Sequence, residues 1–186
     1  SFDGALHLML NAGNGAFSVP VSYAVTTRQA VQIADLNGDG KLDIVAANAT
    51  NSGDTVRVLL NNGLGAYPNT VDYFSGHIPR LALADMNGDG ALDFVVALGW
   101  ANGIRVVQNA GNGTFANPPS YAATGSSEAV TLADLNGTGT LDAIVLNYNT
   151  FSVIPGTGAG GFGAKIDYAV GDATEIAVGD LTGDGL

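Results

Sequence analysis

Four segments of the chain set oxygen-bearing side chains at alternate positions of a glycine-rich run. The first reads Asp35-Leu-Asn-Gly-Asp-Gly-Lys-Leu-Asp43 and the second Asp85-Met-Asn-Gly-Asp-Gly-Ala-Leu-Asp93. The third reads Asp134-Leu-Asn-Gly-Thr-Gly-Thr-Leu-Asp142, and a fourth begins at Asp180-Leu-Thr-Gly-Asp184. Oxygen ligands at positions 1, 3, 5, 7 and 9 of such a turn converge on one point, position 7 through its backbone carbonyl. The first loop thus offers Asp35, Asn37, Asp39, the Lys41 carbonyl and Asp43, and the second Asp85, Asn87, Asp89, the Ala91 carbonyl and Asp93. Glycine at positions 4 and 6 lets the backbone curl around an ion.

The donor set contains no histidine or cysteine, which favours a hard cation over zinc or copper. A flexible, ligand-rich loop favours calcium over magnesium. Carboxylates crowded within a few ångströms would repel one another without a cation. In the third loop Asp134, Asn136, the Thr140 carbonyl and Asp142 remain, and Thr138 replaces the central aspartate, so weaker binding is expected. The fourth supplies Asp180, Thr182 and Asp184 and is incomplete in this chain. The alternative is a set of Asx-rich turns without metal; two intact copies in register favour calcium, with an affinity of about 0.1–1 mM as in extracellular modules.

No catalytic constellation accompanies the loops, and the chain is expected not to be an enzyme. His7 and His77 are the two histidines, and neither sits in a recognisable triad or hydrolytic pair. Gly13-Asn-Gly15 resembles a phosphate-cradling loop only locally, because no helix follows it.

Ten of the 17 acidic residues lie inside the four loops, so the net charge of −11 marks sites rather than a general surface field. With six basic residues and no basic stripe, neither nucleic acid nor an anionic membrane is a plausible partner. No apolar stretch is long enough to span a bilayer, so no membrane insertion is expected. A hydrophobic fraction of 46% argues for a packed core rather than a disordered acidic chain.

The elements that must position these loops are repeated. The first aspartates recur at steps of 50, 49 and 46 residues. A second motif keeps the same step: Asn11-Ala-Gly-Asn-Gly-Ala-Phe17, Asn61-Asn-Gly-Leu-Gly-Ala-Tyr67, Asn109-Ala-Gly-Asn-Gly-Thr-Phe115 and Gly156-Thr-Gly-Ala-Gly-Gly-Phe162. Six residues after each aromatic stands a tyrosine, at 23, 73, 121 and 168. Each unit contains four strand-like runs, A to D, broken by glycine or asparagine before any helical period develops. Four antiparallel strands in 40–50 residues predict a propeller blade, and the fold class is all-β.

On this register residues 1–25 supply strands C and D of one blade. Residues 26–75, 76–124 and 125–171 form full blades, and 172–186 start a further one. Strand B, as in Phe94-Val-Val-Ala97, is apolar on both faces, as in a sheet packed between neighbours. About three and a half repeats predict a segment of a larger propeller, or one completed by another chain.

The loops and the Asn-x-Gly-x-Gly-x-Phe turns together resemble the FG-GAP and VCBS repeats, which build the propeller of integrin α-subunits and of many bacterial surface and secreted proteins. The likeness spans essentially the whole chain and looks bacterial in type. It implies calcium in the A–B loops, an extracellular or cell-surface location, and a role in adhesion or ligand binding.

Because strands alternate, the A–B loops and C–D turns should share one face, and the B–C and D–A loops the other. The second set varies most between repeats and is where a ligand is expected. Trp100, Tyr148, His77 and Arg28 are its candidate contacts. The leading expectation is a calcium-stabilised extracellular scaffold for adhesion or protein interaction. Alternatives are a carbohydrate-binding propeller, a non-catalytic section of a larger secreted enzyme, and a structural polymer associating through open strand edges.

Overall fold

The structure, a computed structural model, describes residues 5–183 apart from 51–52, 79, 101–102, 117–119 and 123–125; the side chains of 27–29, 49–50, 74–75, 120 and 122 also fall outside the description. Every element described is a strand. A hairpin of β1 (Leu6–Leu8) and β2 (Val21–Tyr23) comes first. A four-stranded meander follows, made of β3 (Thr27–Ala34), β4 (Asp43–Thr50), β5 (Gly53–Leu60) and β6 (Asn69–Gly76).

The next sheet contains β7 (Leu81–Ala84), β8 (Asp93–Ala97) and β9 (Gly103–Asn109). Its outer strand is split into β10 (Phe115–Ala116) and β11 (Ser120–Ala122), both paired with β9. The last sheet runs β12 (Ser127–Ala133), β13 (Asp142–Asn147), β14 (Thr150–Ile154) and β15 (Ile166–Ala169). Among the described residues all strand pairings are antiparallel, and none closes the row of sheets into a ring. These are propeller blades, as the repeat predicts.

Residues 172–183 form no strand. The repeat predicts the start of strand A of a further blade there; in the other blades strand A pairs along its length with its own strand B, β12 adding one bridge from Ser127 to Gly99. The segment lies near β13 and β14, where Ile176, Val178 and Leu181 help line a space of about 580 Å³.

Three apolar clusters fill the seams between successive sheets. The hairpin contributes Leu6, Leu8 and Tyr23 against Ile44, Ala46 and Leu59. Val45, Val56 and Val58 meet Phe94, Val96 and Val107 at the second seam, and Val95, Ile104 and Val106 meet Val130, Val145 and Ile154 at the third. Strand B is thus buried on both faces: every residue of β8 and of β13 is buried.

Three of the four tyrosines that follow a turn aromatic by six residues share a task, while Tyr168 stacks on Phe151 of its own sheet at 4.9 Å. Tyr23 meets Tyr67 edge-on at 5.5 Å, Tyr73 meets Phe115 at 5.3 Å, and Tyr121 meets Phe162 at 5.3 Å. Each pair joins the outer strand of one sheet to the turn of the next, with a geometry the ring quadrupole favours. Across β5 and β6, Arg57 holds Asp72 in a fork, Nε to Oδ1 at 2.6 Å and Nη2 to Oδ2 at 2.5 Å. Arg57 also reaches back to the Ala24 carbonyl of the preceding segment.

Phe94 is fully buried, so Phe94→Ala is expected to cost about 3–5 kcal/mol in urea unfolding. Leu64→Ala, at a side chain 87% exposed, should cost less than about 0.5 kcal/mol. The hydrogen bond from Arg57, opposed by burial and aided by the guanidinium charge, holds Asp72 below its ordinary value of 3.8. Its contribution is therefore present above that value and is lost as pH falls through the lower folded value. Unfolding midpoints followed downward from pH 5 should lose part of their acid sensitivity in Asp72→Asn.

Candidate functional site

Each A–B loop is built by its own aspartates. In the first, Asp35 Oδ1 accepts the amides of Asn37, Gly38 and Asp39 at 3.3, 2.9 and 3.3 Å, and Oδ2 accepts that of Gly40 at 2.8 Å. Asn37 Oδ1 accepts the Asp39 amide at 3.0 Å, and Asp39 Oδ1 the Lys41 amide at 2.9 Å. The second loop repeats this through Asp85, Asn87 and Asp89, with amides from Gly88, Asp89, Gly90 and Ala91. The third does so through Asp134 and Asn136, with the Thr138 hydroxyl bonded to Asn136 Oδ1 at 2.5 Å. Gly38 and Gly40 stand at φ of 73° and 79°, a region where a β-carbon would be strained.

These amides have an electrostatic consequence. The Gly40 amide above all, against some desolvation, holds Asp35 below its ordinary value, and the Gly139 amide does the same for Asp134. At Asp85 burial works in the other direction, but the amides of Gly90, Gly88, Asp89 and Asn87 outweigh it. All three first-position carboxylates are therefore anionic across the neutral range.

The ninth-position aspartates sit differently. Asp43, Asp93 and Asp142 are at most 2% exposed. Asp43 Oδ2 accepts the Leu36 amide at 3.0 Å and Oδ1 the Asn61 amide at 2.7 Å. Asp93 accepts Met86 at 3.0 Å and Asn109 at 2.8 Å, and Asp142 accepts Leu135 at 3.1 Å and Gly156 at 2.8 Å. Each carboxylate thus staples position 2 of its loop to the end of strand C. Burial pushes Asp93 up; the amides of Asn109 and Met86 oppose this, and the negative charges of Asp89 and Asp85 add to it.

The first asparagine of the turn motif, a turn residue by its sequence pattern, is also a connector between blades. Asn109 Nδ2 donates to Leu92 O of its own loop at 3.1 Å and to Leu36 O of the preceding blade's loop at 2.7 Å. One seam further on, Gly160 N donates to Met86 O at 2.9 Å. Position 2 of each of these loops is therefore a seat for the turn of the next blade. The recurrence of Asn11, Asn61 and Asn109 at the repeat step is the signal that could have revealed it.

Among the described residues, no three His, Cys, Asp or Glu side chains form a ready-made metal cluster. The donor set nevertheless fits a hard cation. In both intact loops the first, third and fifth side chains present oxygen, and the asparagine amide lies against the fifth-position carboxylate, Asn87 Nδ2 to Asp89 Oδ2 at 2.8 Å and Asn37 Nδ2 to Asp39 Oδ2 at 3.4 Å. A carboxylate oxygen that accepts one amide keeps a second lone pair. In the fourth loop Asp180 Oδ1 accepts the Thr182 and Gly183 amides, at 3.1 and 2.6 Å, while Asp184 lies outside the described residues.

His77, Trp100 and Tyr148 lie in connections at the strand ends away from the A–B loops. His77, in the β6–β7 connection, stacks on Trp100, in the β8–β9 turn, with ring centres 4.6 Å apart. Gly99 leaves room for this, since a β-carbon there would come within 2.1 Å of His77 Nδ1. Trp100 is 79% exposed and Tyr148, in the β13–β14 turn, 66%. Arg28 is on β3 and its side chain is outside the description. Tyr148 lines a cleft with Arg80, Glu128, Asp172, Ala173 and Thr174. Those polar residues lie outside the repeated motifs, so their meeting left no trace in the spacing.

The family model described as FG-GAP-like repeat matches residues 1–46, 35–96 and 85–145. The chain belongs to that family. Among solved structures it is similar to an Agrocybe aegerita lectin described for specific recognition of non-reducing terminal N-acetylglucosamine, with a TM-score of 0.61 and 24% identity over 89% of this chain. The chain spans 46% of that lectin's length. It is also similar to part of a Photorhabdus luminescens Tc holotoxin pore, at a TM-score of 0.48 and 21% identity, covering 90% of this chain and 9% of the toxin chain. No curated protein matches the chain significantly. The lectin likeness bears on the fold, an arc of propeller blades.

The staple and the loop ligands are separable by mutation. In calcium-free buffer Asp93→Ala strands two buried amides and should cost about 2–5 kcal/mol. Asp89→Ala, on the exposed part of the loop, should cost no more than about 1 kcal/mol there. Urea unfolding of both variants measures the difference, and equal losses would contradict the division of roles.

Proposed function

We propose that the chain is a calcium-stabilised, non-catalytic propeller scaffold that acts outside the cell or at its surface, in adhesion or protein–protein interaction. The observation that carries this is the repeated loop arrangement: Asp35, Asn37 and Asp39 recur as Asp85, Asn87 and Asp89 with the same backbone partners. Those residues, with the Lys41 and Ala91 carbonyls and the ninth-position Asp43 and Asp93, would hold the ions. Asp134, Asn136, Thr138, the Thr140 carbonyl and Asp142 would hold a third more weakly. A bound calcium would supply positive charge where acidic groups otherwise face one another, and would stiffen the loop on which the next blade's turn rests.

At the expected affinity of about 0.1–1 mM the sites would fill in extracellular fluid rather than in cytosol. The two histidines support a non-catalytic reading. His7 bonds Ser22 at 3.0 Å on the exposed surface of the first hairpin, and His77 is stacked on Trp100. Acyl-transfer chemistry needs a walled site with oxyanion donors, which an open two-stranded hairpin does not offer.

A second reading, carbohydrate binding, is favoured by the cleft beside Tyr148 and by the existence of a lectin on the same kind of scaffold. Both readings place the ligand on the face opposite the loops.

At tenfold excess over its dissociation constant each calcium adds about 1.4 kcal/mol. Two sites should raise the melting temperature by roughly 5–10 °C in a chain of this size. Thermal unfolding with calcium and with a chelator measures this, and Asp39→Ala combined with Asp89→Ala should abolish the rise. An unchanged melting temperature would reduce the loops to plain turns.

A further inference from the structure

The cleft on the face opposite the loops measures about 460 Å³, within the range of small-molecule sites. Its walls come from several parts of the chain. Arg80 precedes β7, Glu128 lies on β12, Tyr148 sits in the β13–β14 turn, and Asp172 and Thr174 follow β15. The two blades that meet there are pinned where Ser127 N donates to Gly99 O at 3.0 Å.

The groups are held in place. Asn147, only 1% exposed beneath the Tyr148 turn, donates to Ser152 Oγ at 3.1 Å and Thr150 Oγ1 at 3.3 Å, and accepts from Ser127 Oγ at 3.3 Å. Glu128 Oε1 accepts the Ser126 hydroxyl at 2.7 Å. In the orientation that satisfies its amide, Asn149 donates to Asp172 Oδ1 at 3.2 Å. The Tyr148 ring is thus presented to solvent on a turn braced from below.

Such a site joins an exposed aromatic ring to two carboxylates, a guanidinium and a hydroxyl. A pyranose complements it: one sugar face is a patch of C–H bonds suited to an aromatic ring, and its rim carries adjacent hydroxyls that donate to carboxylates and accept from arginine. Two carboxylates against one arginine disfavour an anionic sugar or a phosphate. A stable protein partner covers about 800 Å² per side, whereas this cleft is compact and suits a single small unit.

We propose that the cleft formed by Arg80, Glu128, Tyr148, Asp172 and Thr174 binds a neutral pyranosyl unit of a glycan; this rests on the reading that the face opposite the loops is the ligand face. The test is saturation-transfer NMR on the full chain in calcium, with glucose, galactose, mannose and N-acetylglucosamine each added alone. At least one should show saturable transfer. Its affinity should fall about tenfold or more, a loss of about 1.4 kcal/mol, in Tyr148→Ala and in the Glu128→Gln plus Asp172→Asn variant. Tyr148→Phe, which keeps the ring face, should bind within about threefold of the parent. The calcium-induced rise in melting temperature should persist in every variant, which separates lost binding from lost folding. No transfer from any of the four sugars, in a chain that keeps its calcium response, overturns the cleft proposal and leaves the scaffold reading standing. Sugar binding that survives both variants overturns it as well. Sugar binding lost as expected, in variants that melt at the parent's temperature but show no calcium response, upholds the cleft and overturns the metal-tied scaffold.

Discussion

A buried carboxylate with two backbone amides recurs in every described blade that contains an A–B loop. Asp43, Asp93 and Asp142 each tie position 2 of the loop to the end of strand C. A charge-assisted bond to an amide is stronger than a neutral one, and an amide buried without a partner is costly. Loop curvature, the start of strand B and the end of strand C are therefore fixed together. This single contact makes each blade a unit in which the loop cannot reorganise without disturbing the sheet.

The staple also organises the seams. By pulling position 2 inward it presents Leu36 O and Met86 O to the next blade, where Asn109 Nδ2 and Gly160 N find them. The edge-on aromatic pairs lock the same turns to the preceding outer strand. Loop state and blade packing are consequently coupled on one face, while the other is left free to vary. A rigid stack with one conserved-geometry face and one irregular face is the arrangement in which binding residues can diverge without cost to the fold.

Much of this was legible in the sequence because repetition reports geometry. The step of the aspartates gave the blade, the doubly apolar run Phe94-Val-Val-Ala97 gave the buried central strand, and strand alternation put His77 and Trp100 on a common face. The tyrosines at 23, 73, 121 and 168 were visible as a pattern, but the pairing of the first three with the next blade's aromatic depends on the seam, which spacing alone does not describe; Tyr168 instead stacks on Phe151 of its own sheet. The ninth aspartate reads as a ligand like its neighbours; that its two oxygens are also occupied by Leu36 and Asn61 amides requires the fold. Glu128, Arg80 and Asp172 were illegible, since they repeat nowhere and meet only because separate segments converge.

The central claim is that the first two loops are cation sites built onto stapled blades. Native mass spectrometry across a calcium titration counts ions per chain. The account predicts two calcium ions bound first, a third only at higher concentration, and little competition from equal magnesium. No bound calcium, or uptake unchanged in Asp39→Ala plus Asp89→Ala, would contradict it.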